Sequence, residues 1–275
     1  MIITLIFSLC LNLSLGEVSP VVTPYKVKTD KTKASFRAAV LSDLHNSEFG
    51  RDNRNLIETV KRQKPDVIFT LGDFVNRSSD EKAVAINAHR ELVKICPVYA
   101  VFGNHENGFP DKEGYKKELS ALGVHILDNS MESFKIQNEE IIIGGLSAYP
   151  FYEYYTPDYN SPQGRFLDSF TAAQENRFCI LLNHYPEYVY WGMRNYKFDL
   201  MLCGHTHGGI VRLPFVGGLL APNQGIFSGK ETLPLYTKGE YNVDTTRFII
   251  TSGLGNSRPL PRYNNPPEIM IIDIN

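Results

Sequence analysis

From residue 36 onward, short apolar runs alternate with stretches in which apolar residues recur at helical spacing. The apolar runs cover residues 36–41, 67–71, 98–102, 141–146, 179–182 and 200–202. The helical patterns lie at residues 53–62, 81–95, 112–122 and 168–176. Runs of this length are typical of buried strands, and strands that alternate with helices indicate parallel pairing. The pattern therefore predicts an α/β fold with largely parallel strands in its first half.

The pattern changes beyond residue 205, where the helical periodicity fades and Gly and Pro become frequent. Residues 247–251 and 268–274 are predicted to be closing strands of a more antiparallel sheet. No internal repeat and no shift in composition marks a boundary within residues 35–275. We therefore predict that this segment forms one domain.

The N-terminal residues have a different character. Residues 1–15 are almost wholly apolar, yet they fall short of the roughly 20 residues that a membrane-spanning helix needs. Small residues at Ser14 and Gly16 are typical of a signal-peptide cleavage site, although no Lys or Arg precedes the run. We expect residues 1–16 to be a signal peptide or a short membrane-targeting segment; the alternatives are a buried N-terminal strand and a misassigned start codon. Residues 17–34 are polar and contain Pro20 and Pro24, which predicts a tether.

Composition narrows the classes of function. Lys and Arg number 28 and Asp and Glu number 30, so the formal charge is -2 and no nucleic-acid partner is expected. The four cysteines are far apart, with no C-x-x-C pair, so neither a disulfide framework nor a structural zinc site is indicated. The candidate chemistry lies instead in the histidines, because five of the seven follow apolar runs.

Five of the apolar runs end in side chains that can bind metal ions. In chain order these side chains are Asp43 and His45, Asp73, Asn104 and His105, His184, and His205 and His207. The carboxyl ends of parallel strands meet at one edge of a sheet, where ligands usually bind. We therefore expect the five segments to form a single site.

The spacing and chemistry of these residues favour a metal cluster. Two residues apart on an extended segment, Asp43 and His45 point to the same side, as do His205 and His207. Carboxylate oxygens and imidazole nitrogens suit Mn, Fe or Zn. Asp73 is the only carboxylate in its segment, and a carboxylate can bridge two cations. The glycines beside these residues let the backbone turn sharply and approach closely.

The order of motifs resembles that of a known family, the calcineurin-like metallophosphoesterases. The series D-x-H, G-D-x-x-N, G-N-H-E, N-H and G-H-T-H is complete from Asp43 to His207. Residues 208–225 and 253–269 are similar to the bacterial YkuE/YaeI-type branch, many of whose members carry an N-terminal export signal or membrane anchor. The resemblance covers residues 36–274 and implies an α/β fold, the metallophosphoesterase-type sandwich of two mixed β-sheets flanked by α-helices.

The resemblance also implies roles for eight side chains. The ligands of one metal would be Asp43, His45 and His207, and those of the other Asn104, His184 and His205. Asp73 would bridge the metals, and His105 would be the catalytic residue beside the scissile phosphate. Two divalent metal ions (Mn, Fe or Zn) would supply a bridging hydroxide for in-line attack on a phosphomonoester or phosphodiester. The activity implied is that of a metal-dependent phosphoric ester hydrolase.

Other polar residues have weaker claims on function. Asn76 is expected to fix a loop, and Glu106 either to orient His105 or to cap the backbone. Arg77, Arg212 and Arg258 are candidate phosphate contacts, but each is as readily a surface arginine, so the substrate-binding residues stay unknown.

Three further residues are expected to have no catalytic role. These are His89 within a predicted helix, His125 at the start of a predicted strand, and Cys203, which is interpreted as a small apolar strand residue.

The substrate is the least specified part of this interpretation. We expect a small-molecule or lipid phosphoester, and the N-terminal segment favours an extracytoplasmic, membrane- or cell-envelope-associated enzyme over a cytoplasmic one.

The alternative functions are those of a UDP-diacylglucosamine pyrophosphohydrolase-like enzyme, a protein-phosphatase-like enzyme and a non-catalytic binding scaffold. Residues 204–209 depart from the protein-phosphatase pattern. A scaffold should have broken ligand positions, and here none is broken. Residues 228–242 depart from the branch pattern, which leaves the substrate open.

Overall fold

The computed structural model describes residues 19–147, 159–191, 193, 196–222, 236–243, 246–256 and 260–275, so the segment 1–16 lies outside the described residues. Six strands form the first sheet, in the order β1-β14-β2-β3-β4-β5. Their bounds are Val21–Val27 (β1), Glu268–Ile274 (β14), Phe36–Leu41 (β2), Val67–Thr70 (β3), Val98–Ala100 (β4) and His125–Ile126 (β5). Strands β2 to β5 are parallel to one another, while β14 runs antiparallel to β2.

The second sheet also has six strands, in the order β12-β13-β9-β8-β7-β6. Their bounds are Gly239–Val243 (β12), Thr246–Ile250 (β13), Leu200–Cys203 (β9), Cys179–Asn183 (β8), Glu139–Leu146 (β7) and Ser130–Ile136 (β6). A short separate hairpin joins Arg212–Leu213 (β10) to Gly217–Gly218 (β11). Strands β7, β8, β9 and β13 are parallel, and each outermost pair is antiparallel.

Six α-helices complete the described part of the chain. Their bounds are Arg54–Arg62 (α1), Ala83–Leu92 (α2), Asn104–Asn107 (α3), Lys112–Ala121 (α4), Pro162–Ala173 (α5) and Tyr188–Trp191 (α6). Helices α1, α2 and α4 pack on the outer face of the first sheet, and α5 and α6 on that of the second. The helical patterns at 53–62, 81–95 and 112–122 are confirmed within a few residues at each end.

The helices, the two sheets and the second set of helices form four layers, and the alternation of side chains along each strand explains how each sheet is covered on both faces. In β7, Ile141 and Ile143 pack between the two sheets, whereas Ile142 between them faces the helices. Successive strand residues point to opposite faces, and here both faces are covered. The strands are therefore apolar throughout, as the uninterrupted runs in the sequence predict. The expected sandwich of two mixed sheets flanked by helices is confirmed.

Two elements differ from the pattern-based expectation. Helix α5 begins at Pro162 instead of residue 168, because Ser161 caps it by accepting a hydrogen bond from the backbone N–H of Gly164 at 3.1 Å. The two closing strands do not share a sheet. Strand β13 lies parallel to β9 in the second sheet, while β14 returns to the first sheet.

The expected polar tether, residues 17–34, contains a strand. Strand β1 pairs in parallel with β14, from Val21 opposite Glu268 to Val27 opposite Ile274. Pro24 is compatible with this strand because β1 lies at the edge of the sheet, where a missing N–H breaks no ladder. Tyr25 packs against the core between the sheets. The edge position explains why the segment is polar and still ordered.

No helix in the described part of the chain is long and apolar enough to cross a membrane.

One buried histidine links helix α2 to the first sheet. His89 is 1% exposed, and its Nδ1 lies 2.8 Å from the Ala85 carbonyl oxygen and its Nε2 3.3 Å from Thr70 Oγ1. Its ring also packs against Phe74, with ring centroids 4.5 Å apart. Burial lowers the pKa of His89 to about 4. As expected, His89 has a structural role.

We predict that His89 makes the protein less stable in acid. The unfolded chain binds a proton at this histidine near pH 6.5, whereas the folded protein binds it only near pH 4. The contribution to stability is therefore complete above pH 6.5 and is lost as the pH falls towards 4, at a cost of about 2 kcal/mol between about pH 7.5 and about pH 5. Urea unfolding of metal-free protein measures the effect. Over this pH range the free energy of unfolding should fall by this amount more in the wild type than in His89→Leu. Equal pH dependence in both proteins would contradict the prediction.

Candidate dimetal centre

The predicted site residues meet at one edge of the sandwich. Asp43 and His45 follow β2, and Asp73 follows β3; the remaining site residues are Asn104 and His105 after β4, His184 after β8, and His205 and His207 after β9. Strands β2 to β4 belong to the first sheet and β8 and β9 to the second, so the site spans both sheets. The parallel strands of each sheet deliver their carboxyl ends to this edge, as the sequence predicts.

Five of these side chains sit on strained backbone. Their φ angles are 54° at Asp43, 49° at His45, 55° at Asp73, 69° at His205 and 48° at His207. A residue with a Cβ pays about 1 kcal/mol or more in the left-handed region. Backbone hydrogen bonds hold two of these turns, from Asp43 N–H to the Gly72 carbonyl at 2.9 Å and from His45 N–H to the Asp73 carbonyl at 3.0 Å. Strain repeated at neighbouring positions indicates a functional site.

Glycines make room for the carboxylates. A Cβ at Gly103 would lie 2.3 Å from Asp73 Oδ1, and a Cβ at Gly204 would lie 2.1 Å from Ser42 Oγ and 2.9 Å from Asp43 Oδ2. Such distances are well inside van der Waals contact, so any larger residue would displace the carboxylates. The close backbone approach expected from the glycine-flanked motifs is confirmed at these two positions.

The first group of donor atoms comes from Asp43, His45 and His207, whose candidate ligand atoms all lie within 4.8 Å of one another. Nε2 of His45 lies 3.3 Å from Nε2 of His207, and Oδ1 of Asp43 lies 3.9 Å from that same His207 nitrogen. All three side chains are buried. One oxygen and two nitrogens thus converge on a space that a single cation can fill.

The second group comes from Asp73, His184 and His205, again with candidate ligand atoms within 4.8 Å of one another. Nε2 of His184 lies 3.2 Å from Asp73 Oδ2 and 3.2 Å from Nδ1 of His205. The same Asp73 oxygen lies 3.9 Å from Nε2 of His45, a member of the first group. Asp73 therefore stands between the two groups, where a bridging ligand would stand.

The donor set fits two divalent cations. Oδ1 of Asn104 is buried and has no hydrogen-bond partner, and a buried amide oxygen without a partner is costly unless it has a ligand. Oxygen and imidazole donors without thiolates suit Mn, Fe or Zn. Cys203 is buried inside β9, as expected for an apolar strand residue. The identity of the metals does not follow from this donor set.

Hydrogen bonds orient two of the imidazole rings. The Asn76 amide oxygen lies 3.1 Å from His45 Nδ1, and its NH₂ group donates to the His45 carbonyl at 3.0 Å. His184 Nδ1 lies 2.6 Å from the Leu71 carbonyl oxygen. In both rings Nδ1 is therefore the donor and Nε2 is directed into the site, the usual arrangement for histidines that bind metals. Asn76 fixes the loop, as expected, and it also aims His45.

Burial keeps three of the imidazoles neutral. It lowers the pKa of His45 to about 4 and those of His205 and His207 well below the ordinary value. Neutral imidazoles offer a lone pair to a cation without first losing a proton. Burial also raises the pKa of Asp43 to about 6.

His184 and Asp73 behave as an ion pair. Burial alone would lower the pKa of His184, but the Asp73 carboxylate 3.2 Å away outweighs it and raises the pKa to about 10. Burial opposes ionisation of Asp73 in turn, and the charge of His184 overcomes it and lowers the pKa of Asp73. The proton on His184 therefore supplies the positive charge that a metal cation would supply. The Asp73 carboxylate is ionised whether that proton or a cation lies beside it.

Glu106 holds the two loops that carry Asp73 and Asn104. Its carboxylate, 1% exposed, accepts the backbone N–H groups of Asp73 at 2.7 Å, Phe74 at 2.7 Å and Gly103 at 2.9 Å. Burial raises the pKa of Glu106 to about 7. Of the two roles considered for Glu106, the geometry supports capping of the backbone.

His105 lies at the rim of the site. It is half-buried, its ring centroid is 4.5 Å from that of His45, and one of its nitrogens lies within 4.8 Å of candidate ligand atoms of His45 and Asp73. The backbone N–H of Arg77 donates to Nδ1 of His105 at 3.2 Å, which places the proton of the neutral ring on Nε2. Burial lowers the pKa of His105, which favours this neutral form. A half-buried donor beside fully buried ligands suits contact with a substrate.

Two residues that no motif singled out contact the site. Nη2 of Arg262 lies 3.3 Å from Nδ1 of His207, and its Nη1 donates to the Ser252 carbonyl at 2.7 Å. Burial lowers the pKa of Arg262 to about 10. Oε1 of Glu187, which is fully buried, lies 3.9 Å from Nε2 of His205. The only sequence signal for Glu187 was a charge three positions after His184, and the only one for Arg262 was an arginine in a Pro-rich segment.

The three arginines considered as phosphate contacts have separate outcomes. Arg77 is exposed, and it meets His105 through its backbone. Nη1 of Arg212 donates to the Gly208 carbonyl at 2.7 Å and to Thr237 Oγ1 at 3.1 Å, so the side chain of this arginine links the segments around Gly208 and Thr237. Arg258 and residues 228–235 lie outside the described residues.

A sandwich of two mixed sheets with paired Asp/His donor groups at the strand ends defines the class of metallophosphoesterase-like proteins. Residues 36–209 match the calcineurin-like phosphoesterase family, and the chain belongs to this family. This confirms the resemblance to the family and to its bacterial YkuE/YaeI-type branch.

The chain is similar to several bacterial proteins. It is 28% identical over 244 residues to the metallophosphoesterase YkuE of Bacillus subtilis, which covers 87% of this chain and 79% of that protein. It is 28% identical over 247 residues to the phosphodiesterase YaeI of Escherichia coli, with 88% and 83% covered. The solved structure of TT1561 from Thermus thermophilus shares the fold, with a TM-score of 0.52, 9% identity and 80% and 90% of the two chains covered.

We predict that Glu106 is needed to assemble the site. In Glu106→Gln an NH₂ group replaces one of two oxygens that accept backbone N–H groups, which leaves donors facing each other. We expect the free energy of unfolding to fall by about 2 kcal/mol and Mn²⁺ binding to weaken. Urea unfolding and isothermal titration with Mn²⁺ measure the two effects. The control is Glu113→Gln, an exposed acid on α4; if both variants bind Mn²⁺ like the wild type, Glu106 does not hold the site.

Proposed function

We propose that the protein is a two-metal phosphoric ester hydrolase that cleaves phosphomonoesters or phosphodiesters by in-line attack. The observation that carries the proposal is the pair of buried donor groups joined at Asp73, whose Oδ2 lies 3.2 Å from His184 and 3.9 Å from His45. Membership of the calcineurin-like phosphoesterase family supports the same activity.

The proposed ligand sets follow the two donor groups. One metal would be held by Asp43, His45 and His207, and the other by Asn104, His184 and His205, with Asp73 shared between them. When bound, two divalent cations supply a nucleophile at neutral pH and neutralise the charge of the phosphoryl oxygens.

The protein's own residues contribute orientation and a proton donor. Asn76 and the Leu71 carbonyl aim the rings of His45 and His184 before a metal arrives, which lowers the reorganisation that binding requires. His105, with its proton on Nε2, is placed to donate a hydrogen bond to a phosphoryl oxygen or to the leaving oxygen. The strained turns at five site residues indicate a functional site. The complete ligand set favours a catalyst over a binding scaffold, because a scaffold should have broken ligand positions.

The relatives guide the choice of test substrate. YaeI is named a phosphodiesterase, so a diester comes first and a monoester second. The two classes differ in charge, since a monoester dianion places one more negative charge on the metals.

We predict hydrolysis of bis-p-nitrophenyl phosphate, or of p-nitrophenyl phosphate, by purified protein supplied with Mn²⁺. Asp73→Asn and His184→Ala should lose both bound metal and activity, because each removes a donor from the centre. His105→Gln should retain the metals and lose turnover by about 10² or more, because a glutamine amide cannot transfer a proton to the leaving oxygen. Release of p-nitrophenolate and metal analysis of the same samples measure these effects.

The control is His125→Gln, an exposed histidine on β5, which should match the wild type in both readouts. Absence of hydrolysis with Mn²⁺, Fe²⁺ and Zn²⁺ on both substrates would overturn the proposed function. Loss of metal in His105→Gln would instead move His105 into the ligand set.

A further inference from the structure

The exposed large apolar side chains of the described residues concentrate beside the metal centre. Leu213, Phe215 and Val216 form the apolar tip of the β10-β11 hairpin; Phe215 is fully exposed, Val216 47% and Leu213 39%. Phe215 has a φ of 66°, a conformation that bulky residues rarely adopt. The turn thus holds an aromatic ring in water at a local cost in strain.

Two neighbouring residues extend the apolar surface. Tyr263 is 40% exposed and Leu260 is 43% exposed. The backbone N–H of Arg212 donates to the Tyr263 carbonyl at 3.0 Å, which ties this segment to the base of the hairpin. Exposed apolar side chains that cluster on one surface mark an interaction site.

The hairpin is attached to the turn that carries His207. The backbone N–H groups of Leu219 and Leu220 donate to the Gly209 carbonyl at 3.3 and 3.2 Å, and the side chain of Asn265 donates to the His207 carbonyl at 2.7 Å. Phe215 lies five positions after Ile210, and an extended chain of five steps spans at most about 17 Å. The apolar tip and the metal centre therefore share one side of the molecule.

The chain preceding β1 reaches the fold at the same edge. Strand β14 runs antiparallel to β2, so its first residue, Glu268, lies at the end of β2 that leads to Asp43. Glu268 also accepts the backbone N–H of Ser252 at 2.8 Å, next to the glycine that packs on Asp43. Because β1 is parallel to β14 and Val21 lies opposite Glu268, the apolar residues 1–15 precede a strand that starts at the metal-site edge.

We propose that this edge faces a lipid bilayer, with the apolar tip inserted among the headgroups, and that the phosphoester substrate is the headgroup phosphate of a membrane lipid. The substrate class rests on the proposed function, whereas the insertion of the tip does not. An aromatic and two aliphatic side chains exposed on a hairpin suit the interfacial region of a membrane. The apolar residues 1–15 precede in sequence a strand that begins at this edge, which favours a membrane over a protein partner, because one surface would then receive both apolar elements.

The insertion is tested by placing a tryptophan at the tip of the full chain. In Phe215→Trp, vesicles of phosphatidylcholine and phosphatidylglycerol should shift the added fluorescence to the blue, and brominated phosphatidylcholine should quench it. The signal of the chain's single tryptophan, Trp191, is removed by subtracting the wild-type spectrum. The control is Met131→Trp on β6, where Met131 is 38% exposed; it should show neither effect.

Two results would overturn the insertion. One is that vesicles leave the Phe215→Trp fluorescence unchanged, or change it no more than that of the Met131→Trp control. The other is a blue shift without vesicles that grows with protein concentration, since this would assign the tip to contact with a second copy.

The substrate class is tested by comparing rates on vesicles and in solution. The wild type should hydrolyse phosphatidic acid or phosphatidylglycerol in phosphatidylcholine vesicles. The ratio of this rate to that on bis-p-nitrophenyl phosphate should fall about tenfold or more in Phe215→Ser/Val216→Ser, which removes most of the apolar surface of the tip. Met131→Ser should keep the wild-type ratio.

The outcomes separate this proposal from the proposed function. A wild type that cleaves the soluble diester and neither vesicle lipid overturns the lipid substrate alone. A wild type that cleaves no phosphoester overturns the proposed function, while the fluorescence result still decides whether the tip enters a membrane.

Discussion

The contact between Asp73 and His184 is the constraint on which the rest of the site depends. The carboxylate follows a strand of the first sheet and the imidazole a strand of the second, yet their polar atoms lie 3.2 Å apart in a buried space. A buried carboxylate costs several kcal/mol unless positive charge compensates it. The two sheets must therefore pack in the one register that brings a proton or a cation to Asp73.

Much of the surrounding structure serves to keep that carboxylate in place. The backbone N–H of His105 donates to Asp73 Oδ1 at 2.8 Å, and Glu106 accepts the N–H of Asp73 itself. A Cβ at Gly103 would strike the same oxygen at 2.3 Å. The strain in the neighbouring turns is offset by the large apolar core between the sheets, to which every strand that ends at the site contributes buried residues. Stability built into the sandwich thus permits an unfavourable local geometry at its edge.

The sequence predicts the positions of most core strands, the positions of helices α1, α2 and α4, and the convergence of the site residues, because each depends on local patterns. Uninterrupted apolar runs predict strands covered on both faces, and motifs at their ends predict one site. Strand β1 was not predicted, because an edge strand covered on one side needs little apolar sequence and tolerates Pro24. The start of α5 was missed because a Ser-Pro cap precedes the apolar periodicity.

The supporting residues of the site were harder to predict for a different reason. Glu187 and Arg262 act through contacts between segments that are far apart in sequence, such as the 3.3 Å approach of Arg262 to His207. Nothing in their own neighbourhoods marks them, whereas the ligand residues sit in short recurring motifs. Tertiary packing decides which charged residue reaches a metal site, and the patterns within a single sequence carry no information on that packing.

The central claim is that Asp73 joins two metal ions in one centre, and Mn²⁺ reconstitution tests it most directly. Metal analysis combined with electron paramagnetic resonance should find two equivalents of Mn²⁺ per chain with an exchange-coupled spectrum, because a shared carboxylate holds the ions close together. One equivalent, or two equivalents whose spectrum is that of isolated Mn²⁺, would contradict the account.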